Sequence, residues 1–192
     1  MIKMAYHYKD QVYKLFRDNA LTRKTFWLNL SSYMDMEQVK LEQLTWAKMQ
    51  MVSVYDNKVK GYMEATLKRE TNAVEDIMLV NFNNSKTKYI KEAISFIWLM
   101  LNEFNFSKIK FRAVVGSPTE NMYRKFIEIF DGCVVGTFEN DVRLRDGHLY
   151  DVTYFELKKS NFVDAVKNKA DAARWNKICL ETIAASMGIE HV

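Results

Sequence analysis

Residues 72–105 read N-A-V-E-D-I-M-L-V-N-F-N-N-S-K-T-K-Y-I-K-E-A-I-S-F-I-W-L-M-L-N-E-F-N. The stretch opens as a strand over 74–82, passes through a polar turn at 83–88 and continues as a helix to about Phe104. Along the strand, alternation sends Ile77, Leu79 and Asn81 one way and Asp76, Met78, Val80 and Phe82 the other. A strand that feeds a helix through a short turn aims several backbone N–H groups outward at the helix start. With the positive end of the helix dipole, those donors form an anion site. Lys86 and Lys88 add two cations there, and the turn contains no glycine.

Working outward, 192 residues with 48% hydrophobic content suffice for one domain with a sizeable core. One proline and six glycines argue against disorder. The longest apolar run, 96–101, is far too short to span a bilayer, and the N-terminus M-I-K-M-A-Y-H-Y-K-D lacks a signal-peptide core. Cys133 and Cys179 are the only cysteines and have no metal-ligand spacing. These features describe a soluble, reduced, cytoplasmic protein. The net charge of +4 is mild and the basic residues are scattered, so neither a membrane nor nucleic acid is the expected partner.

Before the central stretch, residues 8–48 read as helical. Val12, Leu15, Phe16 and Asn19 follow helical spacing, as do Phe26, Trp27, Leu30 and Tyr33, then Val39, Leu41, Leu44 and Met49. Thr22 and Asp35 are candidate caps for the later pieces. Trp27, Tyr33 and Trp46 serve either as core or as the wall of an acceptor site. Strands follow over 49–55 and 58–68, joined by a tight turn at Asp56-Asn57, with Gly61 marking a bulge. After the central helix, 108–115 alternates like a strand. Gly116-Ser117-Pro118 breaks it, and Thr119 caps a helix over 120–130 that Asp131-Gly132 ends. Residues 133–138 and 150–157 form a last pair of strands. Cys133 reads as a small buried apolar residue, and His7, His148 and His191 as isolated surface residues. From Asn161 to His191 helical spacing returns, giving a unit over 161–192 that packs on the 1–160 domain or on a second copy in a homodimer. The alternation of elements predicts an α/β (α+β) fold with a mixed sheet flanked by helices.

The second half carries a resemblance. K-I-K-F-R-A-V-V-G-S-P-T-E-N-M-Y-R-K-F-I-E-I-F-D-G-C-V-V-G resembles the strand, "E-N", helix, strand pattern of the GNAT superfamily of N-acetyltransferases, in its RimJ/RimL-type branch. F-E-N-D-V-R-L-R-D-G-H-L-Y-D-V-T-Y-F-E-L-K-K-S-N-F resembles that branch's final hairpin, and K-E-A-I matches the start of its central helix. The similarity spans about 49–162. It implies a mostly antiparallel central sheet and the transfer of acetyl from acetyl-CoA to a primary amine by direct attack. The acceptor would be a protein N-terminus, a lysine or a small amine. The family's pyrophosphate loop, Q/R-x-x-G-x-G/A, is replaced here by N-N-S-K-T-K-Y-I, a degenerate form in which lysines stand where small residues are usual.

The resemblance also implies roles. Asp76 stands where one branch carries its carboxylate base, with Glu75 the second candidate, and Tyr123 is a candidate acid for the leaving thiolate. Met78, Leu79 and Val80 would offer backbone groups to the pantetheine arm. Asn84, Ser85, Lys86, Thr87 and Lys88 would hold the phosphates, and Asn121 would sit beside the coenzyme at a helix start. Each has a plainer alternative: an exposed strand carboxylate for Asp76, a cap for Asn121, packing for Tyr123. A GNAT-like domain without turnover, acting as a binding module, is the competing function.

Overall fold

Asp56 and Asn57 both lie in the left-handed region, at φ +50° and +58°, as a two-residue type I′ hairpin requires. The structure is a computed structural model describing residues 1–19, 26–27, 41, 46–82 and 86–167, with the side chains of 86, 87, 166 and 167 outside that description. Asn84, Ser85, Tyr33, Cys179, His191 and the caps expected at Thr22 and Asp35 therefore lie outside the described residues. The hairpin joins β2 (Lys48–Tyr55) to β3 (Lys58–Lys68). Around them stand β1 (Ile2–Met4), α1 (Lys9–Asn19), β4 (Ala73–Asn81), α2 (Lys86–Trp98), β5 (Lys108–Val114), α3 (Pro118–Ile129), β6 (Cys133–Arg143), β7 (Leu149–Lys158) and α4 (Lys159–Lys167). The strands form one sheet in the order β1-β2-β3-β4-β5-β7-β6. Among the described residues, only the β4–β5 pair is parallel. The expected mixed, mostly antiparallel sheet flanked by helices is the observed architecture.

Helices cover both faces. On one, Val12 and Phe16 of α1 pack on Val52, Val54, Val59, Tyr62 and Val80. On the other, α2, α3 and α4 cover a larger core that contains Met63, Ile77, Ile97, Phe111, Phe126, Phe155 and Phe162. Phe162 and Val163 seat the described start of the C-terminal segment in this main core.

Several boundaries differ from the sequence reading. Strand β1 was not expected: its three residues are held by pairing with β2 rather than by any local pattern. Met49 belongs to β2, not to a helix. Helix α2 already contains Lys86 and Lys88, and a π-helical turn over Leu99–Glu103 finishes it. Ser117, not Thr119, caps α3: its side chain accepts the Glu120 N–H at 3.1 Å, and Pro118 occupies the first turn, where its missing N–H costs nothing. Cys133 is exposed on the outer strand β6 instead of buried. His7 and His148 are exposed, as expected.

The bulge anticipated near Gly61 lies beside it. Ser53 faces Gly61 and Val54 faces Val59, leaving Lys60 as the extra residue. Glycine is needed at 61 for a packing reason as well, because a Cβ there would overlap the ring of Tyr89. That buried ring is pinned by a 3.0 Å bond from its hydroxyl to the Tyr62 carbonyl. Gly61→Ala should therefore cost about 1–3 kcal/mol, the usual penalty of overpacking, measurable as a lower urea midpoint. An unchanged midpoint would show that Tyr89 can move aside.

Candidate active site

A second bulge shapes the site. Glu64 faces Met78 and Thr66 faces Glu75, so β4 carries one residue too many, and Asp76 adopts φ +50°. Asp and Asn tolerate this left-handed conformation better than other non-glycine residues. The bulge resets the alternation. Val74 joins Ile77 and Leu79 on the α2–α3 face, while Met78 and Val80 face α1.

Beyond the bulge, β4 and β5 part. Their parallel ladder consists of Ala73 opposite Lys108 and Val74 opposite Ile109, with no further pairs. Among the described residues, the β5-facing edge of β4 from Ile77 to Val80 is thus without a strand partner. A cavity of about 320 Å³ fills the wedge. Ile77, Leu79, Ser117, Thr119 and Tyr123 line it from the helix side. Lys48, Glu64, Asp76 and Arg112 line it from the opposite face, and Trp27 also contributes. The cavity therefore runs through the sheet.

The rim of this cavity at 116–119 is locked. The buried Glu120 carboxylate accepts the Gly116 N–H at 2.8 Å, the Thr153 hydroxyl at 3.1 Å and Arg124 at 2.7 Å. Burial pushes its pKa up, but these donors outweigh burial and hold it below the usual value. Tyr123 packs edge-on to Phe111 and Phe155 at 4.7 and 5.9 Å. Burial pushes its phenol far above the ordinary range, so it stays protonated and keeps an O–H to donate.

Two carboxylates face the cavity in different surroundings. Asp76 is more than half exposed and lies 3.6 Å from Arg112. Arg112 also bonds the Tyr154 hydroxyl at 3.2 Å, and that hydroxyl donates to Asp141 at 2.7 Å. Burial pulls the guanidinium's pKa down, but Tyr154 and the charges of Asp76 and Asp141 outweigh it and raise it. Glu64 is buried and accepts from the Tyr62 hydroxyl at 2.6 Å, Gln50 Nε2 at 2.9 Å and Lys48 Nζ at 3.1 Å.

Of the residues singled out from sequence, Asp76, Met78, Leu79 and Tyr123 come together at this cavity. Glu75 does not: it pairs with Lys110 at 3.0 Å. Val80 is buried in the α1-side core, and Asn121 is exposed in the first half of α3. Lys88 is exposed near the start of α2, its ammonium 5.3 Å from the Tyr55 ring centroid. Lys86 and Thr87 open that helix. Trp27 lines the cavity, whereas Trp46 is exposed outside it. Glu64, Lys48 and Arg112 were missed. The signal for Glu64 was the alternation Tyr62, Glu64, Thr66, which marks a polar face on a strand otherwise rich in core residues.

No protein-family model matches the sequence, and no curated protein matches it. Solved structures share its fold. A GCN5-related N-acetyltransferase from Brucella melitensis superposes with a TM-score of 0.64 at 12% identity, covering 93% of this chain and 81% of its own. A probable acetyltransferase of the GNAT family from Chromobacterium violaceum gives 0.64 at 14%, covering 85% and 88%. A spermidine N-acetyltransferase variant from Vibrio cholerae gives 0.53 at 12%, covering 82% and 79%. By these superpositions the chain has the fold of the GNAT acetyltransferases.

Proposed function

We propose that this protein is an N-acetyltransferase that moves acetyl from acetyl-CoA to a primary amine by direct attack. The observation that carries this reading is the open edge of β4 beside a cavity that passes through the sheet. Unpaired strand amides can receive the amide-bearing pantetheine arm as a further strand would be received. Met78, Leu79 and Val80 are the residues assigned to it, with the start of α2, including Lys86 and Lys88, assigned to the phosphates. Backbone N–H groups on this edge would polarise the thioester carbonyl. Asp76, at the far side of the wedge, would take a proton from the acceptor amine. Tyr123, held protonated by burial, would donate a hydrogen bond to the departing thiolate. The step balances: the ammonium loses one proton by way of Asp76 to solvent, the neutral amine attacks and a C–N bond forms, the C–S bond breaks, and the second nitrogen proton passes to the departing thiolate. The cytoplasmic location, the phosphate role of Ser85 and Thr87, Asn121 as a coenzyme contact and a homodimer built on 161–192 belong to the same proposal.

Calorimetric titration with acetyl-CoA tests it. Micromolar binding is expected, reduced at least tenfold, about 1.4 kcal/mol, in a Lys86→Ala/Lys88→Ala double variant. Normal binding in that variant would remove the lysines from the phosphate site. Absence of any binding to the unaltered protein would leave a GNAT-fold interaction module, the competing reading that the glycine-free turn favours.

A further inference from the structure

The cavity's two carboxylates are neutralised in unlike ways. Asp76 faces a guanidinium that is held in place by a tyrosine and lies 4.0 Å from a second aspartate. Glu64 faces a lysine ammonium on a half-exposed, flexible stem, whose Nζ meets Oε1 at 3.1 Å. The other Glu64 oxygen is fixed by neutral donors from Gln50 and Tyr62, so its orientation does not depend on the lysine. One ammonium replacing another at Oε1 leaves the charge of the pair balanced, so the exchange costs little. Removing the cation from Glu64 without replacement is costly, because the buried carboxylate then loses its counter-charge.

We infer that Glu64 is the subsite for the acceptor's charged amine, and that Lys48 occupies it until the acceptor displaces it. This rests on the acetyltransferase reading above and narrows its substrate class. The ligand chemistry is that of the group now in place: a primary ammonium on an unbranched alkyl chain. A polyamine and a lysine side chain both offer it, and a neutral amine does not. Glu64 thus selects and holds the acceptor, while Asp76 acts on its proton.

The test is equilibrium binding at pH 7.5, without turnover, using spermidine and Nα-acetyl-lysine amide as separate probes. Lys48→Met removes the resident cation and should tighten binding of at least one probe about tenfold, or 1.4 kcal/mol. The same variant should gain more thermal stability on adding that probe than the unaltered protein does. Glu64→Gln, which keeps shape and the Tyr62 contact, should weaken binding at least tenfold. The probe that responds distinguishes a polyamine from a lysine acceptor. If neither variant changes the affinity of either probe, or if Lys48→Met weakens binding, the subsite is overturned. Acetyl-CoA titration of each variant serves as the control for fold. Normal coenzyme affinity with unchanged amine affinity sinks the subsite alone. Amine binding that depends on Glu64 in a protein that ignores acetyl-CoA would sink the catalytic reading alone.

Discussion

Phe155→Ala is expected to destabilise the protein by about 3–5 kcal/mol, the usual cost of emptying a buried aromatic site. Phe155 is 1% exposed and lies on β7 directly opposite Phe111 of β5. The two rings are nearly parallel, 13° apart at 5.4 Å between centroids. Tyr123 meets Phe155 edge-on, and the Arg124 guanidinium lies 5.9 Å from its centre. Truncation therefore opens a void between the sheet and α3, where three aromatic residues meet and none can fill it alone. A domain of this size has roughly 5–15 kcal/mol to lose, so the variant should unfold at a much lower urea concentration. A shift equivalent to less than about 1 kcal/mol would mean that the aromatic cluster relaxes into the gap. Because the same cluster orients Tyr123, the cavity wall should loosen as well.

Asp76→Asn is expected to slow acetyl transfer by roughly 10²–10⁴-fold, the range over which a positioned base contributes, with acetyl-CoA affinity unchanged. Asparagine preserves shape and tolerates the left-handed backbone of the bulge, so the loss would be chemical rather than structural. Glu75→Gln provides the comparison. Glu75 is adjacent in sequence but engaged with Lys110 away from the cavity. Its variant should turn over normally, measured as thiol release with the acceptor identified by the binding tests above. If Glu75→Gln is slow and Asp76→Asn is not, the two carboxylates exchange roles and the bulge has been misread.

The sheet's centre was legible because its signals are local. Asp56-Asn57 dictates the β2–β3 hairpin, and the change from the strand ending at Asn81 to the helix containing K-E-A-I is visible in residue spacing. Features that depend on a partner strand were not legible. Strand β1 exists only through Ser53, Val52 and Met51 opposite it. The β4 bulge arises from register with Glu64 and Thr66, and it brings Val74 onto the same face as Ile77 and Leu79. Cys133 reads as core because cysteine is a small apolar residue, yet the first seven positions of β6, Gly136 apart, are exposed. In the site, Asp76 and Tyr123 could be singled out from their places in a familiar pattern. For Glu64 the polar alternation of its strand was the sole signal, and its surroundings emerge only when Lys48, Gln50 and Tyr62 from two paired strands converge on it.

The unpaired edge of β4 is the proposed site for the coenzyme's arm. Amide chemical shifts of ¹⁵N-labelled protein, followed during titration with acetyl-CoA, report on that edge residue by residue. Saturable shifts concentrated at Ile77, Met78, Leu79 and Val80 are expected, with smaller ones at the start of α2. Saturable binding that leaves these four amides unmoved would contradict that site, as would a complete lack of response at millimolar coenzyme.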